Sequence, residues 1–203
     1  VCLQGFIGWY MVSSGLIDNT DVSHFRLSIH LSLALLILCL ILWYIFEIFE
    51  IKKFTIKIPN SLLIFILALI VIQIILGSFL AGLNGGLIYN TWPDMNGLFL
   101  PNDVQFKDYL SKELVYNPSI VQFLHRITAY VLLSSILILS YLFFKLNLNL
   151  KFMLFLNFAI LLQVILGIIT LITGVEIKYA SLHQLGSILV LSSYILILYK
   201  NSN

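Results

Sequence analysis

Apolar residues run along this chain in long blocks with few polar interruptions. A helix of about 20 apolar residues crosses the roughly 30 Å hydrocarbon layer of a bilayer, so each block of that length predicts a spanning helix. Five complete spans are expected, at about Phe25 to Phe49, Ser61 to Leu83, Pro118 to Phe144, Phe152 to Thr173 and Tyr179 to Tyr199. A partial span covers Val1 to Leu16. Val1 is not a methionine and no basic segment precedes the first apolar block, so the N-terminus reads as cut and this block as the remains of a spanning helix. The expected fold class is an all-α integral membrane protein, a bundle of transmembrane helices.

The polar positions inside these blocks repeat. The first span reads Gln4-x-x-x-Gly8 with Gly15, the third Gln73-x-x-x-Gly77, and the fifth Gln163-x-x-x-Gly167 with Gly174. Each is followed by a helix with a histidine near its start: His30, His125 and His183. The repeating unit is a hairpin of one small-residue helix and one histidine helix. Glycines on membrane helices let neighbouring backbones approach closely, and that packing role is the main one expected of them. The three histidines lie four to seven residues from their expected helix starts, roughly 6 to 11 Å along the axis at 1.5 Å per residue. They therefore share one depth. A lone intramembrane histidine often makes a helix-to-helix hydrogen bond, but three at equivalent repeat positions point to a common ligand.

The neighbours of the histidines favour a flat ligand. Four residues on, along the same helix face, stand Ala34, Ala129 and Ser187, with Thr128 and Gly186 at three residues for the second and third sites. Small side chains there leave room for a porphyrin plane, and imidazole is a usual axial ligand of haem iron. Arg26, one turn before His30, and Arg126, directly after His125, are placed either to pair with haem propionates or to anchor helix ends at the interface. His24 falls in a short connection and reads as a solvated loop histidine. The longest connection, Asn84 to Asn117, contains the run Tyr89 to Gly97 with Trp92 and Pro93. Its apolar content suggests a folded lid on the membrane surface, with an interfacial Trp and Tyr anchor as the alternative.

Composition agrees with lipid as the solvent: 61% of the 203 residues are apolar and 10% charged, whereas soluble domains carry about 25% charged residues. The net charge of +2 is a topological signal and suggests no nucleic acid. Lys52, Lys53, Lys57, Lys145, Lys151 and Lys200 fall on alternate connections and should face the cytoplasm or mitochondrial matrix. The acidic residues Asp18, Asp21, Asp94, Asp103, Asp108, Glu113 and Glu176 fall on the other side, with the histidine ends. Cys2 and Cys39 lie inside apolar blocks in no metal-binding or haem-attachment spacing.

The chain resembles the haem A synthase family. The resemblance is carried by Gly5 to Gly15, Arg26 with His30, Gln73 with Gly77, Ala81 to Leu83, Asn90-Thr91-Trp92-Pro93 with Met95 and Gly97, Gln122 with His125-Arg126, Ala129-Tyr130, and Gln163 with Gly167 and His183-Gln184. It implies two similar four-helix halves, the first truncated here: residues 1–60 as the remainder of the N-terminal half, on the substrate-haem side, and 61–203 as the C-terminal half, with outer loop 84–117. It further implies oxidation of the C8 methyl of haem O to the formyl of haem A, through an alcohol and a gem-diol, for terminal oxidases. By this resemblance His125 and His183 are axial ligands of a haem b, His30 is the catalytic-site ligand of the substrate-haem iron, and Arg26 and Arg126 bind haem. The family's earlier Glu-x-x-His segment and outer-loop cysteine pair are not in this sequence, so the chain as it stands is expected to hold haem b without converting haem O. Implied partners are haem O synthase and cytochrome oxidase assembly factors, and a homo-oligomer is compatible. Implied locations are the bacterial inner membrane or the mitochondrial inner membrane, with the histidine ends toward the periplasm or intermembrane space. A two-haem cytochrome b that only relays electrons would carry the same histidines, while a transporter of repeated hairpins would show broken helices that are not evident.

Overall fold

The structure, a computed structural model, describes residues 1–15 and 21–202. Leu16, at the end of the first expected span, and Asp18, one of the outer acidic residues, lie outside the described residues. The helices are α1 Cys2–Val12, α2 His24–Ile48, α3 Asn60–Gly82, α4 Glu113–Tyr116, α5 Pro118–Lys145, α6 Leu150–Ile172 and α7 Ile177–Asn201. Single 3-10 segments occur at Gly85–Leu87 and Phe106–Leu110. Among the described residues, five helices (α2, α3, α5, α6 and α7) are long and apolar enough to cross a membrane, and α1 is a shorter apolar helix. The chain is therefore an all-α, multi-pass membrane protein.

Helix is the only open-ended structure lipid permits, because every backbone N–H and C=O must find a partner within the segment. The ends are set by local chemistry. Asn117 accepts hydrogen bonds from Ser119 N at 2.9 Å and Ile120 N at 3.3 Å, with Pro118 at the first helical position of α5. Asn149 caps α6 through Lys151 N. Asn84 and Asn147 stop α3 and α5 in the left-handed region, at φ 52° and 51°, a conformation asparagine tolerates better than most residues.

Packing follows the hairpins: α1 on α2, α3 on α5, α6 on α7. Contacts of α5 with α6 and of α3 with α7 close the last four spans into a ring, so α5 and α7 stand at opposite corners. Helix α2 packs outside this ring against α3 and α7, and α1 rests chiefly on α2. Ile66, Ile136, Leu139, Phe143, Leu156, Tyr194 and Ile197 form the fully buried centre.

Burial is uneven along the bundle. Toward the lysine end, α7 is buried almost continuously from Val190 to Asn201. There the α2–α3 connection is stitched to the end of α7. Phe54 N donates to Lys200 O, the Lys200 ammonium donates to Lys52 O, and Lys53 Nζ donates to Ser202 Oγ. Ile58 N donates to Asn201 Oδ1, and Asn201 Nδ2 donates to Ile58 O and Asn60 Oδ1. Toward the other end, residues 71–77, 123–131, 161–172 and 177–185 are all half-buried or exposed. That loosely covered layer contains His125 and His183.

Candidate functional site

The observed starts of the histidine helices bring the three side chains to one level. His30 lies six residues after His24, His125 seven after Pro118, and His183 six after Ile177. Each histidine ring sits on the glycine of its own hairpin. A Cβ at Gly8 would stand 3.0 Å from His30 Cε1, one at Gly77 3.2 Å from His125 Cε1, and one at Gly167 3.0 Å from His183 Cε1. The glycines were expected mainly to bring helix backbones together. What they admit at close range is the imidazole, and only the absence of a side chain makes that approach possible.

The glutamine one turn before each glycine belongs to the same arrangement. Gln4 Nε2 stands 3.3 Å from both ring nitrogens of His30 and donates to His30 O at 3.0 Å. Gln73 Nε2 stands 3.2 Å from His125 Nε2. The Gln163 amide packs against Gly186, three residues after His183. Gln4 Oε1, Gln73 Oε1, Gln163 Nε2 and the Nδ1 atoms of His125 and His183 are buried without a hydrogen-bond partner. Sequence reasoning had the Gln-x-x-x-Gly spacing but did not join it to the histidines. The signal was there, because residues four apart share one helix face and the histidine follows at a matching depth in all three hairpins.

His125 and His183 stand on α5 and α7, at opposite corners of the ring. Two imidazoles at one level in a half-covered layer can grasp a flat, apolar group from both sides. His30 lies elsewhere, in a groove of about 470 Å³ lined by Gln4, Gly5, Gly8, Ala34 and Ile37 along the outside of α1 and α2. The small Ala34 does leave space beside this histidine, as its position one turn on predicts.

The two arginines are engaged with the protein. Arg26 Nη1 donates to Tyr10 O at 2.8 Å and to Ser13 Oγ at 3.3 Å, and its guanidinium lies 3.9 Å over the Tyr10 ring. It thus fastens α2 to the end of α1. Arg126 forks into the long loop after α3, with Nη1 donating to Thr91 O at 3.0 Å and Asp94 O at 2.7 Å, and Nη2 donating to Tyr89 O at 3.1 Å. Its Nε is buried without a partner. Gln122, one turn earlier on α5, also donates to Tyr89 O, at 2.9 Å.

The loop so held is a compact unit, as its apolar content suggests. Tyr89 and Met95 are 3% and 2% exposed, and Trp92–Pro93 is a cis peptide. Asn90 Nδ2 donates to Gly86 O and, across to α6, to Leu171 O. Thr91 Oγ1 donates to Asp94 Oδ1 and accepts from Asn96 N, while Gly97, at φ 88°, donates its N–H to Asp94 Oδ1. These donors, the Gly97 amide first, hold the Asp94 carboxyl below its ordinary range. Tyr89 donates to Asp103 Oδ1 at 2.7 Å, and Ser119 Oγ donates to Asp103 Oδ2 at 2.7 Å. Burial and the neighbouring Asp103 push the Tyr89 phenol up. Partial burial works against ionisation of Asp103, but the hydrogen bonds from Tyr89 and Ser119 outweigh it and lower its carboxyl.

His24 corrects the expectation of a solvated loop residue. It is the first residue of α2, only 8% exposed, boxed by Phe25, Phe79 and Tyr116 with ring centroids 4.2, 5.1 and 5.4 Å away. The short connection hides this in the sequence, because the box is closed by α3 and by α4, which arrive from far along the chain. Gly82 makes the close approach possible, since a Cβ there would stand 2.7 Å from His24 Cα.

Fold and site together define a membrane protein of repeated hairpins, each seating a histidine on a glycine. The chain belongs to the cytochrome oxidase assembly protein family, whose profile matches residues 1–195. It is similar to the heme A synthase of Pelagibacter ubique strain HTCC1062, with 71% identity over 203 residues, covering 100% of this chain and 60% of the relative. It is also similar to the heme A synthases of Wolbachia pipientis subsp. Culex pipiens, 40% identical over 195 residues, and Rickettsia bellii, 40% identical over 200 residues. These cover 94% of this chain and 57% and 59% of the relatives. The chain thus spans about three fifths of the length of the curated relatives it matches.

Proposed function

We propose that this chain carries the haem b half and part of the substrate half of a haem A synthase, which oxidises the C8 methyl of haem O to the formyl of haem A. The observation that carries this reading is the pair His125 and His183, on opposite corners of the ring, each seated on a glycine at one level of a half-covered layer. The relatives named heme A synthase support the same reading. The residues fit a porphyrin held by two imidazoles. The flanking Ala129 is small, and His125 and His183 each keep a buried ring nitrogen without a protein partner, the kind of group such a ligand needs. When bound, haem b supplies one-electron redox capacity. The protein's own part is to fix the imidazoles. Gly77 and Gly167 seat the rings, and Arg126 fastens the loop above His125.

In this reading residues 61–203 form the C-terminal half and residues 1–60 belong to the N-terminal one. His30 serves the iron of the substrate haem from its groove beside α1, and Arg26 keeps α1 against α2 there. The methyl passes through an alcohol and a gem-diol, each formed by a two-electron oxidation that adds one water-derived oxygen and releases two protons and two electrons to an external acceptor, and the gem-diol then loses water to give the aldehyde. The lysine-bearing connections face the cytoplasm or matrix and the Arg126 loop faces the periplasm or intermembrane space, in the bacterial or mitochondrial inner membrane. Partners on the same reading are haem O synthase and oxidase assembly factors.

The test is extraction and chromatography of the haems bound to the purified full-length protein. Haem b together with haem O or A is expected, and haem b alone would replace the synthase with an electron relay. His125→Ala and His183→Ala should each abolish the bis-imidazole spectrum, and an unchanged reduced band in both would refute the ligand assignment.

A further inference from the structure

We propose that the run from Trp92 to Leu100 is a lipid-contacting foot. Its side chains Trp92, Leu98, Phe99 and Leu100 are seated at the hydrocarbon boundary of the leaflet on the histidine side, and bilayer lipid is the partner they touch. The apolar content of the loop alone leaves a lid on the membrane surface and an aromatic anchor equally open. The geometry instead lays one segment along the lipid-facing flank of α5, whichever haem the protein binds.

Tyr130, Leu137 and Phe144 follow one another along α5 at seven-residue steps, and all three are exposed. Seven residues bring an α-helix back to nearly the same face, with a drift of about 20°. One stripe of this spanning helix therefore faces lipid, and Phe123 stands one step earlier on it. The loop lies over that position. The Phe99 and Phe123 ring centroids are 6.0 Å apart, and Tyr109, from the 3-10 segment Phe106–Leu110, comes to 6.3 Å of the same ring. Pro93, Leu98, Phe99 and Tyr130 line one cleft of about 320 Å³. The run thus covers the histidine end of a lipid-facing stripe, and its own side chains stand where lipid would otherwise meet the helix.

Depth follows from helix length. Helix α5 has 28 residues and ends at Lys145, which makes it about 42 Å long at 1.5 Å per residue. The hydrocarbon layer is roughly 30 Å, or about 20 residues of straight helix. With Lys145 at one interface, the other boundary falls near His125 and Arg126, between Phe123 and Tyr130. Irregular backbone is tolerated at such a depth only where its polar groups are paired within the protein. Here Arg126 and Gln122 satisfy the carbonyls of Tyr89, Thr91 and Asp94. Met95 and Leu98 exchange N–H to O bonds in both directions, and Thr91 Oγ1 and Asp94 Oδ1 accept from the amides of Asn96 and Gly97. Trp92, Leu98, Phe99 and Leu100 are nevertheless between 45% and 66% exposed. A run with its polar backbone turned inward and large apolar side chains left outside is matched to lipid, and tryptophan favours the interface. The loop carries Asp94, Asp103, Asp108 and Glu113 against Lys107 and Lys112, so apolar contact holds the foot and attraction to anionic headgroups does not.

The test uses the full-length protein with its native cysteines replaced by alanine, reconstituted in phosphatidylcholine vesicles, which carry no net charge. Nitroxide labels are attached singly at Leu98→Cys, Phe99→Cys and Leu100→Cys. Power-saturation EPR then reads their collisions with oxygen, which concentrates in lipid, and with a water-soluble nickel chelate. Leu137→Cys, on the exposed stripe of α5, is the lipid reference, and Lys112→Cys, which precedes the start of α5, is the water reference. The oxygen-to-nickel ratio at Leu98 and Leu100 should lie nearer to that of Leu137 than to that of Lys112, with Phe99 in step. A ratio nearer to Lys112 places the run in water and overturns the proposal. Low collision rates with both reagents overturn it as well, because another protein surface, from a second copy or from a further part of the full-length chain, then covers the run. The Leu98 and Leu100 labels keep the test decisive if Phe99→Cys releases the loop from Phe123.

Discussion

Arg126 donates a 2.7 Å hydrogen bond from Nη1 to the backbone carbonyl of Asp94, so the residue beside His125 ties α5 to the long loop after α3. With Thr91 O and Tyr89 O it has three carbonyl acceptors, which only a guanidinium fork can reach at once. Arg126→Gln should raise amide hydrogen exchange across residues 89–97 by roughly 30-fold, from about 2 kcal/mol for bonds of a charged donor. Arg126→Lys should recover little of that protection. Unchanged exchange in both variants would assign the loop's stability to its own Asp94 and Thr91 network.

The glycine seats can be tested by adding one carbon. Gly77→Ala and Gly167→Ala place a Cβ 3.2 and 3.0 Å from an imidazole carbon, tighter than ordinary contact. Such overpacking costs about 1 to 3 kcal/mol. Both should purify with less haem and a perturbed low-spin spectrum. Gly5→Ala is the control for haem b alone, because nothing lies within 4 Å of its Cβ position and it lines the His30 groove, away from His125 and His183. Equal haem content in all three would remove the glycines from the site.

Loop docking should depend on pH at two edges. The Asp103 carboxyl is held below its unfolded value, so its contribution is present above the ordinary carboxylate range, about pH 4, and is lost as pH falls through the lowered value. The Tyr89 phenol is held above its unfolded value, so its contribution is complete below about pH 10 and is lost as pH rises through the raised value. Hydrogen exchange of residues 89–103 across pH should show a plateau between these edges. Asp94→Asn combined with Asp103→Asn should abolish the acid edge, and a persistent acid edge in that double variant would implicate another carboxylate.

Topology has a direct assay. Cysteines introduced at Asn96 and Lys53 should react with an impermeant reagent from opposite sides of the membrane, Asn96→Cys from outside. Labelling of Lys53→Cys in intact cells would invert the proposed orientation.

The spans were legible in the sequence because lipid demands a long apolar run, and the observed ends of the five long helices fall within two residues of the expected ones. The common level of His30, His125 and His183 was legible for the same reason, since depth follows from counting along a helix. Partners across helices were not. Spacing states which residues share a face, but nothing in Arg126 or Gln122 announces that Tyr89 O will lie opposite, because the loop folds back from more than thirty residues away. His24 was misread on the same account: two of its three aromatic walls, Phe79 and Tyr116, come from other elements.

The stitching of Asn201 and Lys200 to the connection before α3 grips α7 at one end, and His183 stands toward the other end of that helix. Asn201 lies eighteen residues from His183 along α7, roughly 27 Å at the helical rise. A tilt of α7 about that grip displaces His183 more than any residue nearer Asn201, so the lysine end of this helix acts as its pivot and the imidazole rides on the long arm.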